Sequence, residues 1–167
     1  MAEEQLSVLD ETGRVVGTAP RSVVRRDNLW HLVVAALVRD REGRIYVHRR
    51  TASKDIFAGM YDCWVAGCVA AGEAPDTAII RELAEELGIR GTPVRRLFSR
   101  RYADDLTRQF CTAYETVYSG PIVHQPEEID WGAWMDLDEL RAHLSAEGWA
   151  TPDGAALFAE WLRECEG

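Results

Sequence analysis

The segment Pro75–Leu87 constrains the fold of this chain most strongly, because its apolar residues recur at the spacing of one helix face. Those residues are Ile79, Ile80, Leu83 and Leu87. Pro75 suits a first helical turn and Gly88 suits the position where a helix stops, so the sequence predicts a helix with both ends defined. Strand-like segments lie on both sides of this helix, which indicates a mixed α/β fold.

The other strands and helices are predicted from apolar runs and from turn residues. A hairpin is predicted over residues 6–18, and residues 29–38 and 45–49 are predicted to form a second hairpin. A surface loop is expected over residues 51–61. Further strands are predicted at 63–69, 94–102, 110–118 and 131–135, and further helices at 136–144 and 153–165. Without a repeat or a low-complexity linker, residues 1–167 are expected to form one domain, a mixed α/β sandwich.

The formal net charge of -9 argues against general affinity for nucleic acid or anionic membrane, since both are bound through clustered Lys and Arg. An anionic substrate would then need a metal ion or a local basic patch. No apolar run reaches the length of a membrane span, and the first four residues are acidic where a secretory signal would be basic. The cytoplasm is therefore the expected location.

The four cysteines are irregularly spaced and form no CxxC pair. They are Cys63, Cys68, Cys111 and Cys165. In a reducing compartment they are expected to be buried thiols rather than disulfides or zinc ligands.

Three carboxylates share one face of the predicted helix, because Glu82, Glu85 and Glu86 stand at i, i+3 and i+4. Like charges this close raise one another's pKa values unless a cation lies between them. Mg²⁺ or Mn²⁺ suits such a group, since hard cations prefer carboxylate oxygens and keep waters that a phosphate oxygen can replace. A Glu-rich helix face taken alone is more often solvated surface. The residues around the three glutamates are therefore needed to distinguish a metal site from a solvated face.

That sequence carries a regular pattern over residues 67–89. It runs Gly67, five residues, Glu73, seven residues, Arg81-Glu82-Leu83, Ala84, Glu85-Glu86, Leu87, Gly88-Ile89. The pattern resembles the Nudix box at every fixed position. The resemblance implies the Nudix α/β/α sandwich, with a mixed β-sheet between helices, and the Mg²⁺- or Mn²⁺-dependent hydrolysis of a nucleoside diphosphate linked to another moiety.

The resemblance also implies roles for individual residues. Glu82, Glu85 and Glu86 match the metal-binding glutamates of the family, and the backbone carbonyl of Ala66 is a further candidate ligand. Glu73 and Arg81 match residues that support these carboxylates, and Gly67 permits the close approach of loop and metal.

The residue that takes the proton from the attacking water is left open by this comparison, because relatives use either a box glutamate or a glutamate on a later loop. The box candidates are Glu82 and Glu85. The later candidates are Glu127 and Glu128, which precede the strand predicted at Trp131.

Residues outside the box resemble the Nudix branch that contains isopentenyl-diphosphate isomerase and its hydrolase-like relatives. This similarity covers roughly residues 6–90 and raises allylic isomerisation as a rival activity. The rival is disfavoured, because Ala66-Gly67-Cys68 stands where the isomerase has a Cys-Gly-His stretch, and only His31 matches an isomerase metal ligand. An added N-terminal hairpin is expected in this branch.

Three cations upstream of the box, Arg49, Arg50 and Lys54, are candidates for binding substrate phosphates. The expected partner is a small-molecule diphosphate. A hypothesis from a different class is a catalytically silent Nudix module that senses a nucleotide or binds a protein. Such modules usually have broken boxes, whereas this box is intact, so an enzyme is favoured. A homodimer is common in the family and is left open.

Overall fold

A computed structural model describes residues 2–167, and it begins with the predicted N-terminal hairpin of strands β1 (Gln5–Leu9) and β2 (Val15–Pro20). The other strands are β3 (Trp30–Arg39), β4 (Ile45–Arg50), β5 (Tyr61–Asp62), β6 (Trp64–Cys68), β7 (Arg95–Ala103), β8 (Arg108–Val117) and β9 (Ile129–Met135). The helices are α1 (Arg21–Arg26), α2 (Pro75–Leu87), α3 (Leu137–Leu144) and α4 (Pro152–Glu166).

Strand β3 is the centre of a mixed sheet. It pairs antiparallel with β6 from Val33 to Leu37, and parallel with β8 along its whole length from Trp30 to Arg39. Strand β7 extends the sheet beyond β8. Side chains on both faces of β3 are buried, which is why this strand reads as one continuous apolar run in the sequence.

Two helical layers cover the two faces of this sheet. On one face, β3 residues Val34 and Ala36 pack in the same core as α2, through Ala78, Ile79, Leu83 and Leu87. On the other face, Ala35 and Leu37 pack with residues of α3 and α4, namely Leu140, Leu157, Phe158 and Trp161. The alternation follows from the two-residue period of a strand. The predicted α/β/α sandwich with its added hairpin is confirmed.

The predicted second hairpin is wrong. Strands β3 and β4 are joined by a tight turn, but they share a single residue pair, Arg39 with Ile45. Both edges of β3 are occupied by β6 and β8, so β4 diverges after the turn and pairs with β5 and β9 instead. Neighbours in sequence therefore lie in different parts of the sheet.

Helix α1 was not predicted, because residues 20–28 read as a polar lead-in. Its six residues bury only Val24, and one apolar position gives no periodicity. Asn28 at φ 48° then turns the chain into β3. The helix places Arg21 and Arg25 beside the end of β6, where they line a cavity together with Gly67 and Cys68.

All four cysteines are free thiols, as the sequence predicts. Cys63, Cys68 and Cys111 are buried, whereas Cys165 is exposed near the end of α4, so the expected burial is wrong at that position. Among residues 2–167, no helix is long and apolar enough to cross a membrane.

Candidate active site

An acidic cleft of about 230 Å³ lies between α2 and the end of β6. All three glutamates that the sequence singled out, Glu82, Glu85 and Glu86, line it together with Ala66 and Gly67. The rest of its wall is formed by Glu4, Arg21, Lys54, Arg81, Gln125 and Glu128. Strand β6 and the box helix therefore meet where the sequence placed a metal site.

Gly67 allows the Glu82 carboxylate to lie directly against the backbone of β6. A Cβ atom at Gly67 would stand 2.2 Å from both Cδ and Oε1 of Glu82. No real Cβ contact is that short, so any side chain at this position would displace the carboxylate. The glycine is required by this close approach.

Arg81 orients the carboxylates of Glu73 and Glu82 through hydrogen bonds. Its Nε donates to Glu73 at 2.9 Å, its Nη2 to the other oxygen of Glu73 at 3.1 Å, and its Nη1 to Glu82 at 2.7 Å. Glu73 also accepts the Ala70 N–H at 3.0 Å, and the Arg81 hydrogen bond lowers the pKa of the Glu73 carboxyl. A rigid guanidinium fork thus ties the loop before α2 to one candidate metal ligand.

We expect Arg81→Lys to weaken Mn²⁺ binding about tenfold, at the lower end of the usual loss when a residue that orients a metal ligand is changed. Lysine keeps the positive charge but cannot bridge Glu73 and Glu82 with a planar fork. Titration of Mn²⁺ followed by electron paramagnetic resonance measures the affinity, with Arg96→Lys on β7 as the control. Equal affinities for the wild type and Arg81→Lys would contradict the orienting role.

The two most buried glutamates of the cleft interact as like charges, and Arg81 is bound to one of them, Glu82. Glu82 and Glu86 are 9% and 7% exposed. Burial raises the pKa of Glu82 to about 7, and burial together with the charges of Glu82 and Glu128 raises the pKa of Glu86 well above its ordinary value. Among residues 2–167, the Glu86 carboxylate has no hydrogen-bond or ion-pair partner. A divalent cation would supply the missing charge, so these residues fit a metal.

The cleft does not form a complete protein cage, since no group of three metal-binding side chains converges within residues 2–167. This suits Mg²⁺ better than a structural ion, because Mg²⁺ is usually held by one or two carboxylates, several waters and substrate phosphates. Glu85 is the most open of the three, with half its side chain exposed and an ion pair to Arg81 at 3.4 Å.

Of the two glutamates on the later loop, Glu127 and Glu128, only one lines the acidic cleft. Glu128 lines the acidic cleft and forms an ion pair with Lys54, whose side chain is only 10% exposed. Glu127 is exposed and lies outside the cleft, where its backbone carbonyl accepts the Thr51 hydroxyl at 3.0 Å. Of this pair, only Glu128 is in position to meet a water in the cleft.

The predicted phosphate-binding cations are also separated. Arg50 and Lys54 line a cavity that adjoins the acidic cleft, whereas Arg49 lines neither space and pairs with Asp130 at 2.7 Å. The pairing of β4 with β9 has a register shift between these two arginines, and Arg50 donates to the Ile56 carbonyl at 2.9 Å instead.

Two cations that sequence reasoning missed reach the site from α1. Arg21 lines both the acidic cleft and the adjoining cavity, and Arg25 lines the cavity. They lie 3.9 and 3.5 Å from the Asp55 carboxylate, which is loose for an ion pair. Their i, i+4 spacing was the available signal, since it places both on one face of a helix.

His31 lies on β3, is 2% exposed and lines neither the cleft nor the cavity. Its Nδ1 is 2.9 Å from the Leu29 carbonyl oxygen, and its Nε2 has no hydrogen-bond partner among the described residues. Burial, with smaller contributions from Arg25 and Arg21, lowers the pKa of the ring to about 4.

This neutral, buried histidine predicts a loss of stability in acid. Below pH 6.5 the unfolded chain takes up a proton that the folded chain refuses until about pH 4, so the free energy of unfolding falls by up to about 3 kcal/mol over that window. Urea unfolding at pH 7 and pH 4.5 should show a smaller fall for His31→Gln than for the wild type. Burial also lowers the pKa of His48 to about 3. Because His48 is present in both proteins, its contribution to the fall in stability is the same in each. Equal falls would contradict the prediction.

Comparison with known proteins identifies the family. The family model described as NUDIX domain matches residues 29–157. The chain is 43% identical to an uncharacterised Nudix hydrolase of Rhodococcus erythropolis, over 96% of this chain and 92% of that protein. It is 41% identical to an uncharacterised Nudix hydrolase of Streptomyces coelicolor, over 99% of this chain and 92% of that protein.

A solved structure agrees with these relatives. The crystal structure of DR0079 from Deinococcus radiodurans superposes with a TM-score of 0.82 at 29% identity, and covers 94% of this chain and 98% of that one. The closer similarity to the branch that contains isopentenyl-diphosphate isomerase stays a prediction. Since the family model spans most of the chain and the relatives align over nearly all of it, this chain belongs to the Nudix hydrolase family.

Proposed function

We propose that residues 1–167 form one Nudix domain that uses Mg²⁺ or Mn²⁺ to hydrolyse the diphosphate of a nucleoside diphosphate linked to another moiety. The observation that carries this proposal is the shared wall of two spaces with opposite charge. Ala66, Gly67, Arg21 and Lys54 line both the acidic cleft and the adjoining cavity with its additional arginines. A diphosphate chelated by a metal needs carboxylates on one side and cations on the other.

Glu82 and Glu86, with the carbonyl of Ala66, would hold the metal, and Glu85 would complete the set from the open side. A divalent ion in this position supplies charge neutralisation and a more acidic bound water. Arg21 and Lys54 would bind phosphate oxygens on the opposite wall and position the phosphorus for attack.

Glu128 is the residue we propose as the proton acceptor from the attacking water. It lines the cleft, is about 29% exposed and pairs with Lys54. When a substrate phosphate engages Lys54, the carboxylate of Glu128 is released to accept a proton. Glu82 is the weaker candidate, because Arg81 already occupies one of its oxygens.

Isomerisation of isopentenyl diphosphate is disfavoured on the same geometry. Among residues 2–167, Cys68 is the only thiol on the walls of these two spaces, one position after Gly67. It is buried, and burial raises the pKa of its thiol, so it is poorly suited to donate and recover a proton near neutrality.

The proposal is tested with a panel of diphosphates in Mg²⁺ or Mn²⁺, with release of phosphate or nucleotide as the readout. The panel contains nucleoside diphosphates, nucleotide sugars, dinucleotides, coenzyme A and isopentenyl diphosphate. We expect metal-dependent cleavage of at least one nucleotide class and its loss in chelator. Cleavage of none, with nucleotide binding intact, would instead favour a sensing module.

A further inference from the structure

Two residues on the wall of the acidic cleft, Gln125 and Glu128, lie on the later loop, which comprises residues 118–128 and connects β8 to β9. This loop forms neither a helix nor a strand, and Pro121 and Pro126 leave it without a backbone N–H at two positions. The proposed proton acceptor, Glu128, therefore depends for its position on contacts that the later loop makes with other parts of the fold.

The main chain of the later loop is bound to the end of the box helix. The N–H of Val123 donates to the Leu87 carbonyl, and the N–H of Gln125 donates to the Glu86 carbonyl, both at 3.0 Å. Both carbonyls belong to the last turn of α2, where a helix leaves its C=O groups without partners of its own. The loop thus supplies hydrogen bonds that the helix end requires.

Thr51 holds the other end of the later loop. Its N–H donates to the Glu128 carbonyl at 3.1 Å, and its hydroxyl donates to the Glu127 carbonyl at 3.0 Å. Thr51 is 7% exposed, so these bonds are shielded from water. The main chain on each side of Pro126 is therefore fixed to a different element of the fold.

A side-chain hydrogen bond joins the middle of the loop to β4. The hydroxyl of Tyr46 lies 2.6 Å from Nε2 of His124. Tyr46 is 6% exposed, and its ring packs edge-on against Trp134 with 5.1 Å between the ring centroids. Burial lowers the pKa of His124, which favours the neutral ring and allows the hydroxyl to donate to Nε2. The loop is therefore bound to a side chain that is itself held in the core.

Gly132 on β9 leaves the space in which this hydrogen bond forms. A Cβ atom at Gly132 would stand 2.3 Å from the Tyr46 hydroxyl oxygen and 2.8 Å from Nε2 of His124. Either distance is too short for a real contact, so alanine would displace the bonded pair. Gly132 does not have a positive φ, so its backbone conformation does not require glycine. The absence of a side chain is instead matched to the hydrogen bond.

We infer that Tyr46 and His124 are positioning residues, whose hydrogen bond holds the later loop where Glu128 meets the acidic cleft. Neither is among the described residues that line the cleft, so both act through the loop. The inference rests on the proposed function, in which Glu128 accepts a proton from the attacking water. Loss of the hydrogen bond should lower kcat and spare metal binding, since Glu82 and Glu86 lie on α2.

The test measures kcat, KM and Mn²⁺ affinity on the best substrate of the diphosphate panel. Tyr46→Phe, His124→Leu and Gly132→Ala should each lower kcat about tenfold and change KM by less than about threefold. His124→Gln keeps an acceptor for the Tyr46 hydroxyl and should recover most of the lost kcat. Tyr102→Phe is the matched control, because it removes a hydroxyl that donates to Asp104 at 2.8 Å on β7, and it should behave as wild type.

A second comparison separates positioning from a general loss of structure. In a Glu128→Gln background, Tyr46→Phe should lower kcat by less than about twofold more, because the group that it positions is gone. An equal loss in both backgrounds would overturn the inference and leave the hydrolase intact. Wild-type kcat in Tyr46→Phe and His124→Leu, or a fall in Mn²⁺ affinity as large as the fall in kcat, would also overturn it.

If the wild type cleaves no diphosphate, the proposed hydrolysis fails, and amide hydrogen exchange tests whether the hydrogen bond still fixes the loop. The N–H groups of Val123 and Gln125 should exchange about tenfold faster in Tyr46→Phe than in the wild type, while those of β8 keep their rates. In Tyr102→Phe the exchange of Val123 and Gln125 should not change. Equal exchange of these two amides in Tyr46→Phe and the wild type would refute the inference.

Discussion

Replacing Glu86 with glutamine should lower the rate of diphosphate cleavage by about 10³-fold or more while leaving the folded protein as stable as before. A divalent metal ion in the proposed site would contribute several kcal/mol to the transition state, and each 1.36 kcal/mol corresponds to a factor of ten in rate. Glu86 is 7% exposed and its carboxylate has no partner within residues 2–167, so the change removes a proposed metal ligand and no internal side-chain contact. Neutralising a buried, unpaired carboxylate does not destabilise the metal-free fold.

The measurement is kcat/KM on the best substrate of the panel, together with thermal unfolding with and without Mn²⁺. At about 100 times its Kd, Mn²⁺ should stabilise the wild type by about 2.7 kcal/mol, which corresponds to a rise in Tm of roughly 5–10 °C. Glu86→Gln should show little of this rise. Glu164→Gln, on the exposed end of α4, is the matched control and should behave as wild type. Turnover indifferent to Glu86→Gln would remove this residue from the site.

Gly67→Ala should reduce cleavage about 100-fold with only a small loss of stability. The added Cβ would stand 2.2 Å from the Glu82 carboxylate, which is the far end of a flexible side chain and can swing away. The strand backbone at Gly67 has no positive φ, so alanine is compatible with β6 itself. The structure therefore predicts a displaced metal ligand in a protein that still folds.

Gly17→Ala on β2 is the control, because nothing lies within 4 Å of a Cβ at that position. Metal titration and chemical unfolding of both variants separate the two effects. We expect Gly67→Ala to weaken Mn²⁺ binding strongly while its free energy of unfolding falls by no more than about 1–2 kcal/mol. Wild-type metal affinity in Gly67→Ala would show that Glu82 does not need the space above this glycine.

Local signals in the sequence were sufficient for the box helix. Its predicted bounds coincide with α2, because Pro75 occupies the first turn and Gly88 adopts the left-handed conformation at φ 69° that ends it. The convergence of Glu82, Glu86 and Gly67 also followed from spacing and from the family resemblance. These features depend on residues close together in the chain.

Features that depend on distant pairing could not be predicted in the same way. The edges of β3 are filled by strands 30 and more than 70 residues away, which no turn signal at residues 40–43 reveals. Arg21 and Arg25 on α1 line the same cavity as Gly67 on β6, and Gln109 and Asp153 reach that cavity from β8 and α4. The spacing of hydrophobic residues does not indicate which polar side chains from distant elements will lie together in the fold.

The separation of Arg49 from Arg50 also could not be predicted, because the predicted strand ends at Arg49 and the structure has a register shift between the two residues where β4 pairs with β9. In the structure Arg49 pairs with Asp130 at 2.7 Å, and Arg50 donates to the Ile56 carbonyl at 2.9 Å.

We propose that the acidic cleft, loaded with a divalent cation, directs water onto a phosphorus of a diphosphate. Phosphorus-31 nuclear magnetic resonance of the diphosphate panel in water enriched with oxygen-18 tests it most directly. With Mg²⁺ or Mn²⁺ present, we expect one diphosphate to be replaced by two products with separate phosphate groups, of which one carries the isotope, and we expect chelator to prevent the change. Diphosphates that persist throughout the panel, an isomerised product with its diphosphate intact, or cleavage that continues in chelator would contradict it.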